Sequence, residues 1–437
     1  MLPFETTLTA PLAQVEALLD RFAHFGVELG LERIQTLLAA LGNPERRVAV
    51  LHIAGSNGKG SVCAYLSSVL EVAGYRVGRY ISPHLVDWCE RMSVNGVAID
   101  PADLLKLLQQ VVEAIDPQKP SPTQFEVFTA AAWLYFAQQQ VDVAVMEVGL
   151  GGRLDATNVI DRPLVSVITS LSLEHWQRLG PTLADIAREK AGILKPGCPA
   201  VLAPLPPETA AVIFDRLQAL NCPAVFPPPA IDLGNGWAEF RGSSTEEADS
   251  LKFPLPLLGA HQLINSSLAI ATLQILRQQG WQISDEAIGQ GMKQTRWPGR
   301  LQWTSWRSRT LLIDGAHNPA GAIALRQYLD SSDRITPPIQ WIIGMIGGKD
   351  HADVLRELLR SNDSLFLVPV PEHTPVDLLK LADLARSICP KLSACEVFAD
   401  EISALEATKE KGAIVLCGSL YLIGHFLRQK EISSSSK

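Results

Sequence analysis

Two hydrophobic rhythms alternate along the chain. Unbroken apolar runs of strand length and β-branched character occupy 48–54, 76–85 (running into a loop), 141–146 and 163–175. Between them apolar residues recur every three or four positions, the mark of helices packed by one face. This predicts helix over 11–42, with a loop near 25–31 and a stop at Gly42, then over 61–74, 101–115 and 183–197. Pro117, Pro120 and Pro122 break the chain before a further helix over 123–140 with a mostly apolar body. Strands alternating with helices imply a parallel α/β sheet. From 223 to 256 the rhythm gives way to Pro- and Gly-rich loops and short antiparallel strands. A helix returns over 261–280, and TRWPGRLQW (295–303) carries the Pro-Gly pair of a hinge. A second α/β pattern follows, with strands opening at 310, 339, 364 and 413. Residues 433–437 read as a disordered tail.

The sharpest feature is the change of rhythm at 48–74. An apolar strand runs into the turn GSNGKG (55–60), and a helix follows with Val62, Leu66, Val69, Leu70 and Ala73 on one face. Backbone N–H groups at a helix start, together with one lysine, Lys59, make a phosphate cradle. The turn departs from the strict G-x-x-x-x-G-K-[ST] pattern, because Gly60 sits where a hydroxyl is expected and Ser61 comes one place later. From the first helical turn Ser61 still reaches a Mg²⁺.

Length and charge then narrow the class. At 437 residues the chain is long enough for two or three domains of about 150 residues. Its 47% hydrophobic content is globular, and its net charge of −8 argues against a nucleic-acid backbone partner. No signal pattern or bilayer-length apolar run occurs, so no membrane partner is expected. Seven cysteines without a C-x-x-C pair suit reduced thiols in the cytoplasm.

Several polar residues sit at strand ends, where α/β enzymes bind ligands. Glu147 closes one apolar strand, and an acidic group beside a phosphate strand is where Mg²⁺ is held. His175 closes another, and Ser82 and His84 follow a third. A hydroxyl oxygen such as that of Ser82 suits Mg²⁺. Lys190 reads at first as part of a charged helix face. Arg153 and Asp155 either grip an anionic substrate or pair with each other to fix their loop. In the second pattern Asp314 and His317 sit at a strand end and Arg300 at the junction, which suggests a ligand held between domains.

In this order, LGLERI (29–34), HIAGSNGKGS (52–61), SPHL and ERM (82–92), TQFEVFT (123–129), EVGLGGRLDATN (147–158), AREKAGI (187–193), LLGAHQLIN (257–265), WPGR (297–300), DGAHNP and CGSLYLIG (417–424) resemble the folylpolyglutamate synthase and dihydrofolate synthase family of the Mur ligase superfamily. The resemblance spans nearly the whole chain. It implies a P-loop parallel-sheet ATPase domain over 1–298 and a smaller Rossmann-like α/β domain over 299–437. It implies ATP contacts from Asn57, Gly58, Lys59, Gly60, Ser61, Asn265, Arg300, Asp314 and His317. Ser61, Ser82, Glu147, His175 and Lys190 are the implied Mg²⁺ ligands for two ions, Lys190 as the carbamate formed with CO₂. Lys59, Lys190 and His175 are the implied catalytic set. Thr123, Phe125, Arg153 and Asp155 fall in segments that surround the pterin substrate. Two departures stand out: Ser56 replaces a frequent Thr, and Glu174 and Trp176 flank His175 where Asp and Thr are frequent.

The implied reaction is ATP-dependent attachment of L-glutamate to dihydropteroate or to a folate glutamate tail through an acyl phosphate, by a monomer. A Mur-type ligase acting on a UDP-sugar usually carries an additional N-terminal domain before its phosphate loop. A GTPase reads guanine with Asn-Lys-x-Asp, and this chain has no Asn-Lys pair. A non-catalytic binding module does not need polar strand ends on two domains.

Overall fold

The computed structural model describes residues 10–23, 28–242, 250–307, 309–347, 350–371, 376–409 and 411–435. Part of the loop expected near 25–31, most of the polar stretch 242–250, and residues 436–437 of the expected tail lie outside them. The chain divides into two compact units, Met1–Leu255 with Ile264–Thr295, and Pro256–Leu263 with Arg296–Lys437.

The first unit is built on eight strands: β1 (Val50–Ala54), β2 (Val77–Tyr80), β3 (Met92–Val94), β4 (Val97–Ala98), β5 (Val143–Glu147), β6 (Val165–Ile168), β7 (Ala200–Leu202) and β8 (Ala224–Val225). Their order is β4-β3-β2-β5-β1-β6-β7-β8. β1 lies between β5 and β6, parallel to both, with Ile53 beside Glu147 and Ala54 beside Ile168. Both flanking strand ends therefore open onto the turn that follows β1. Strands covered on both faces read as continuous apolar runs, and every residue of β1, β5 and β6 is buried. The helix Lys59–Val72 follows β1, and Gln124–Gln138 precedes β5. The helix Leu183–Lys190 buries Ile186 and Ala187. Ala187 packs in a core with Ala54, Val148, Ile168 and Leu202. That packing sets Lys190, the helix's last residue, beside the turn after β5, where a Cβ on Gly152 would come 3.2 Å from its Cα.

Beyond this sheet lie three antiparallel strands, β9 (Ile231–Gly234), β10 (Trp237–Arg241) and β11 (Ser250–Pro254), as the texture of 223–256 predicts. The second unit has six: β12 (Gln302–Trp306), β13 (Arg309–Asp314), β14 (Ile339–Ile343), β15 (Ser364–Leu367), β16 (Ala394–Val397) and β17 (Ala413–Cys417). Their order is β12-β13-β17-β14-β15-β16, all parallel except β12.

Five expectations change. The helix expected over 183–197 ends at Lys190 and passes into a 3₁₀ turn, Ala191–Ile193. The helix after the phosphate loop starts at Lys59, two residues early, because Gly58 turns the chain in the left-handed region (φ 91°). β3 and β4 add an antiparallel hairpin at the sheet edge, turning on Asn95 and Gly96, both at positive φ. That Asn-Gly pair is the residue signature of a tight hairpin turn. The strand expected over 163–175 ends at Ile168, and the remainder is loop. Ser433 to Ser435 extend the helix Leu420–Ser435 and are not a disordered tail. Serine adds only about 0.5 kcal/mol per residue against an already nucleated helix.

Candidate active site

The phosphate loop is shaped by close approaches that only glycine permits. A Cβ on Gly55 meets Thr169 Oγ1 at 1.8 Å, and one on Gly58 meets Asn265 Oδ1 at 2.4 Å. Gly58 is the N-cap of the helix and supplies no side-chain cap, so the helix start depends on other partners for its leading N–H groups. Lys59 folds back over the turn, its Nζ donating to Gly55 O (2.9 Å) and Ser56 O (3.3 Å). Ser61 lies buried in the first turn. Asn57, Gly58, Lys59, Gly60, Ser61 and Asn265 thus form one neighbourhood.

Around it lie the strand-end residues. Glu147 is buried at the end of β5. Ser82 follows β2, and its Oγ is buried without a hydrogen-bond partner. His175 sits in the left-handed region (φ 47°) beyond β6. Lys190 is almost wholly buried and donates from Nζ to Glu174 Oε1 at 2.7 Å. Burial pushes the Glu174 carboxyl up, but the ammonium groups of Lys190 and Lys59 prevail and hold it down to about 2. Burial lowers the Lys190 pKa against the pull of Glu174, and Lys59 lowers it further. The charges of Lys59, Glu174 and Lys190 therefore act on one another across the two loops. Lys190 is a buried ion-pair member, not part of an exposed charged face.

Among the described residues no group of three His, Cys, Asp or Glu converges as a metal cage. A phosphate-bound Mg²⁺ does not require one, because it takes one or two carboxylates, hydroxyl oxygens, waters and the phosphates themselves. The orphaned Ser82 Oγ and the Glu147 carboxylate have the chemistry for such an ion.

The segments expected around the pterin are tightly wired. Thr123 caps the helix Gln124–Gln138 in a reciprocal box with Glu126. Glu126 Oε2 also accepts from Arg33 Nε at 3.0 Å. Phe125 lies against Gly149, where a Cβ would come 2.5 Å from the ring. Arg153 pairs with Glu189 at 2.8 Å, not with Asp155. Asp155 accepts from Leu150 N (2.8 Å), Thr157 N (3.0 Å) and Thr157 Oγ1 (2.6 Å), so both its oxygens fix the loop. Burial raises its pKa against these bonds. Since the Thr157 hydroxyl proton goes to Asp155, Thr157 Oγ1 accepts from His52 Nε2 at 2.9 Å. Burial lowers the His52 pKa to about 3, which keeps this ring neutral. His84 Nδ1 accepts from Arg91 Nε at 2.9 Å, and the Arg91 guanidinium lies 4.1 Å over the Trp88 ring. Glu174, Glu126, Arg33, Arg91 and His52, which hydrogen-bond the expected site residues or their loops, were not named individually, although all but Glu174 lie within motifs that carry the resemblance and Glu174 adjoins His175.

In the second unit Asp314 ends β13 and accepts from Leu301 N and Ala316 N, both at 2.8 Å. Burial raises its pKa, while the Arg300 guanidinium pulls it down. His317 Nδ1 lies 2.8 Å from Gly315 O, so that nitrogen carries the proton. Arg300 and Asp314 are thus electrostatic partners, with His317 three residues onward in the loop before the helix Pro319–Ser331.

A phosphate loop followed by a helix, with a buried carboxylate, hydroxyl and lysine at the ends of a largely parallel sheet, in a chain that also holds a second α/β unit, fits an ATP-dependent ligase of the Mur type, and comparison with known proteins shows that class. Residues 53–205 match the Mur ligase middle domain, and 300–429 match the dihydrofolate synthetase C-terminal domain. The chain belongs to the dihydrofolate synthase/folylpolyglutamate synthase family. It is 36% identical over 417 residues to the dihydrofolate synthase/folylpolyglutamate synthase of Bacillus subtilis, covering 91% of this chain and 94% of that one. It is similar to the E. coli FolC structure in complex with DHPP and ADP, with TM-score 0.82, 30% identity, and 98% and 99% of the two chains covered. The Mycobacterium tuberculosis folylpolyglutamate synthase complexed with ADP and AMPPCP matches with TM-score 0.83 and 31% identity, covering 97% and 98%.

Proposed function

We propose that this chain joins L-glutamate to two acceptors, dihydropteroate and the glutamate tail of a folate, using ATP. The observation that carries the reading is the uncapped helix start at Gly58, with Lys59 folded over it and Glu147 and Ser82 at the neighbouring strand ends. The functions of the relatives support the two acceptors. A free carboxylate resists attack by an amine. The acceptor carboxylate oxygen therefore takes the γ-phosphoryl of ATP, with ADP leaving. The amino group of glutamate then attacks the carbonyl carbon, and inorganic phosphate leaves with that oxygen.

In this reading the N–H groups of the turn and Lys59 cradle the phosphates, and catalysis is mostly placement and electrostatics. Asn265, which lies against Gly58, is a further ATP contact, and the resemblance assigns Arg300, Asp314 and His317 the same role. Thr123, Phe125, Arg153 and Asp155 border the pterin; Phe125 supplies an apolar face, and Asp155 holds the loop in shape. Ser61, Ser82, Glu147 and His175 would hold Mg²⁺, which would neutralise phosphate charge. Lys190 joins them as a carbamate: its lowered pKa favours the neutral amine that takes up CO₂, releasing a proton. A carbamate carbon resonance that disappears in Lys190→Ala after exposure to ¹³CO₂ tests this. Residues 1–298 and 299–437 act as nucleotide and glutamate-ligase domains of a monomer. All seven cysteines are unpaired, which fits the cytoplasm. Among the described residues no helix is long and apolar enough to cross a membrane.

The test supplies ATP, Mg²⁺ and radiolabelled L-glutamate with dihydropteroate or tetrahydrofolate monoglutamate. Label in both acceptors supports the reading, label in one reduces it to a single activity, and label in neither removes it.

A further inference from the structure

The phosphate loop is stitched to the loop after β6 by a ladder of hydroxyls. Ser56 N donates to Ser170 O at 2.7 Å. Ser56 Oγ donates to Ser172 O and accepts from Ser172 N, both at 3.0 Å. Asn57 is held through its backbone N–H, its carbonyl and its side-chain Nδ2. Its N–H donates to Ser170 Oγ (3.1 Å), its carbonyl accepts from Thr169 Oγ1 (2.7 Å) and Ser170 Oγ (3.0 Å), and its side-chain Nδ2 donates to Ser172 Oγ (3.3 Å). A hydroxyl has one proton and two lone pairs, so Ser170 makes both of its bonds to Asn57 at once. Gly55 allows the approach, since any Cβ there would overlap Thr169. The loop so clamped continues, two residues past Ser172, into Glu174 and His175.

We propose that Ser170 is a positioning residue for phosphoryl transfer: its hydroxyl locks Asn57 to the loop bearing Glu174 and His175, and so sets the phosphate cradle relative to those side chains. The proposal rests on the nucleotide reading above. Two consequences follow from the geometry. The N–H groups of Ser56 and Asn57 are engaged by Ser170, so phosphate contacts fall to the N–H groups that follow them. The cradle and the strand-end loop move as one body, so that placement is set before the nucleotide arrives.

The test compares wild type, Ser170→Ala, Ser170→Cys and Ser170→Thr by steady-state kinetics, thermal melting, and calorimetric titration with ADP in the presence of Mg²⁺. Losing two neutral hydrogen bonds of about 1 kcal/mol each predicts a fall in kcat/KM for ATP of about ten- to thirtyfold in Ser170→Ala. The KM for the folate acceptor stays unchanged, and Ser170→Thr recovers most of the loss. Should the alanine variant not fold, the cysteine variant, similar in size and a weak hydrogen bonder, decides. Unchanged kcat/KM for ATP in a folded variant overturns the proposal. So does an equal rise in both KM values with a lowered melting point and no recovery in Ser170→Thr, which marks a merely structural role. Wild type that binds no ADP removes the nucleotide reading itself, a result distinct from either.

Discussion

Two strand–turn–helix units, one in each half of the chain, settle their helix starts in opposite ways. After β1, the helix Lys59–Val72 begins at a glycine with no side-chain cap, and its nearest cation, Lys59, rests on backbone carbonyls. After β13, the helix Pro319–Ser331 begins at Asn318, whose Oδ1 accepts from Gly321 N at 2.8 Å, with proline in the next position. There Asp314 also accepts from backbone N–H groups of its own neighbourhood. The second helix start carries a side-chain cap of its own, and the first, opening on a glycine, does not. Position at a strand end is therefore not enough to identify a phosphate site. The cap distinguishes the two, because a start satisfied by its own side chains offers an anion little.

The largest expected effect tests the buried charge beneath the open site. In CO₂-free protein, where Lys190 is uncarboxylated and paired with Glu174, Glu174→Gln removes the partner of a buried ammonium and is expected to destabilise the fold by about 3–5 kcal/mol at neutral pH. Because the Glu174 pKa is depressed from 4.5 to about 2, the stabilisation is fully present above pH 4.5. It fades as pH falls toward 2. Denaturation of both proteins across that window checks it, and a gap that stays constant down to pH 2 contradicts it.

Next comes Lys59→Ala, expected to lower kcat for glutamate incorporation by about 10²–10³ with little change in melting point. Gly58→Ala combines a left-handed backbone with a Cβ 2.4 Å from Asn265 Oδ1. Its ADP affinity, read by calorimetry, is expected to fall about tenfold or more, at about 1–2 kcal/mol for the backbone alone. The smallest effect sharpens the contrast. Asn318→Ala loses a cap of about 1 kcal/mol in stability, and ADP titration is expected to show unchanged affinity.

The readable parts of the site were those with local causes. The turn 55–60, the buried strand end at Glu147 and the helix that carries Lys190 each follow from neighbours in sequence. What was hidden depends on partners far along the chain. Arg153 turns to Glu189 because the helix Leu183–Lys190 packs beside its loop, and Asp155 is occupied by Leu150 and Thr157. His52, in an otherwise apolar strand, becomes legible only when Thr157 is seen across from it. The fold shows the same division. The parallel core was legible from its apolar runs. The antiparallel strand β12 and the helices Pro207–Ala219 and Asp285–Gln294 went unread, although Ser284 caps the last at Ala287 N.

The most direct test of the central claim, that the open helix start serves to phosphorylate a carboxylate, follows oxygen atoms. Tetrahydrofolate monoglutamate labelled with ¹⁸O in its γ-carboxylate is incubated with wild-type protein, ATP, Mg²⁺ and glutamate, and the inorganic phosphate is analysed by mass. The acyl phosphate route predicts one ¹⁸O in each phosphate released with product. Phosphate free of ¹⁸O, alongside amide product, would contradict it.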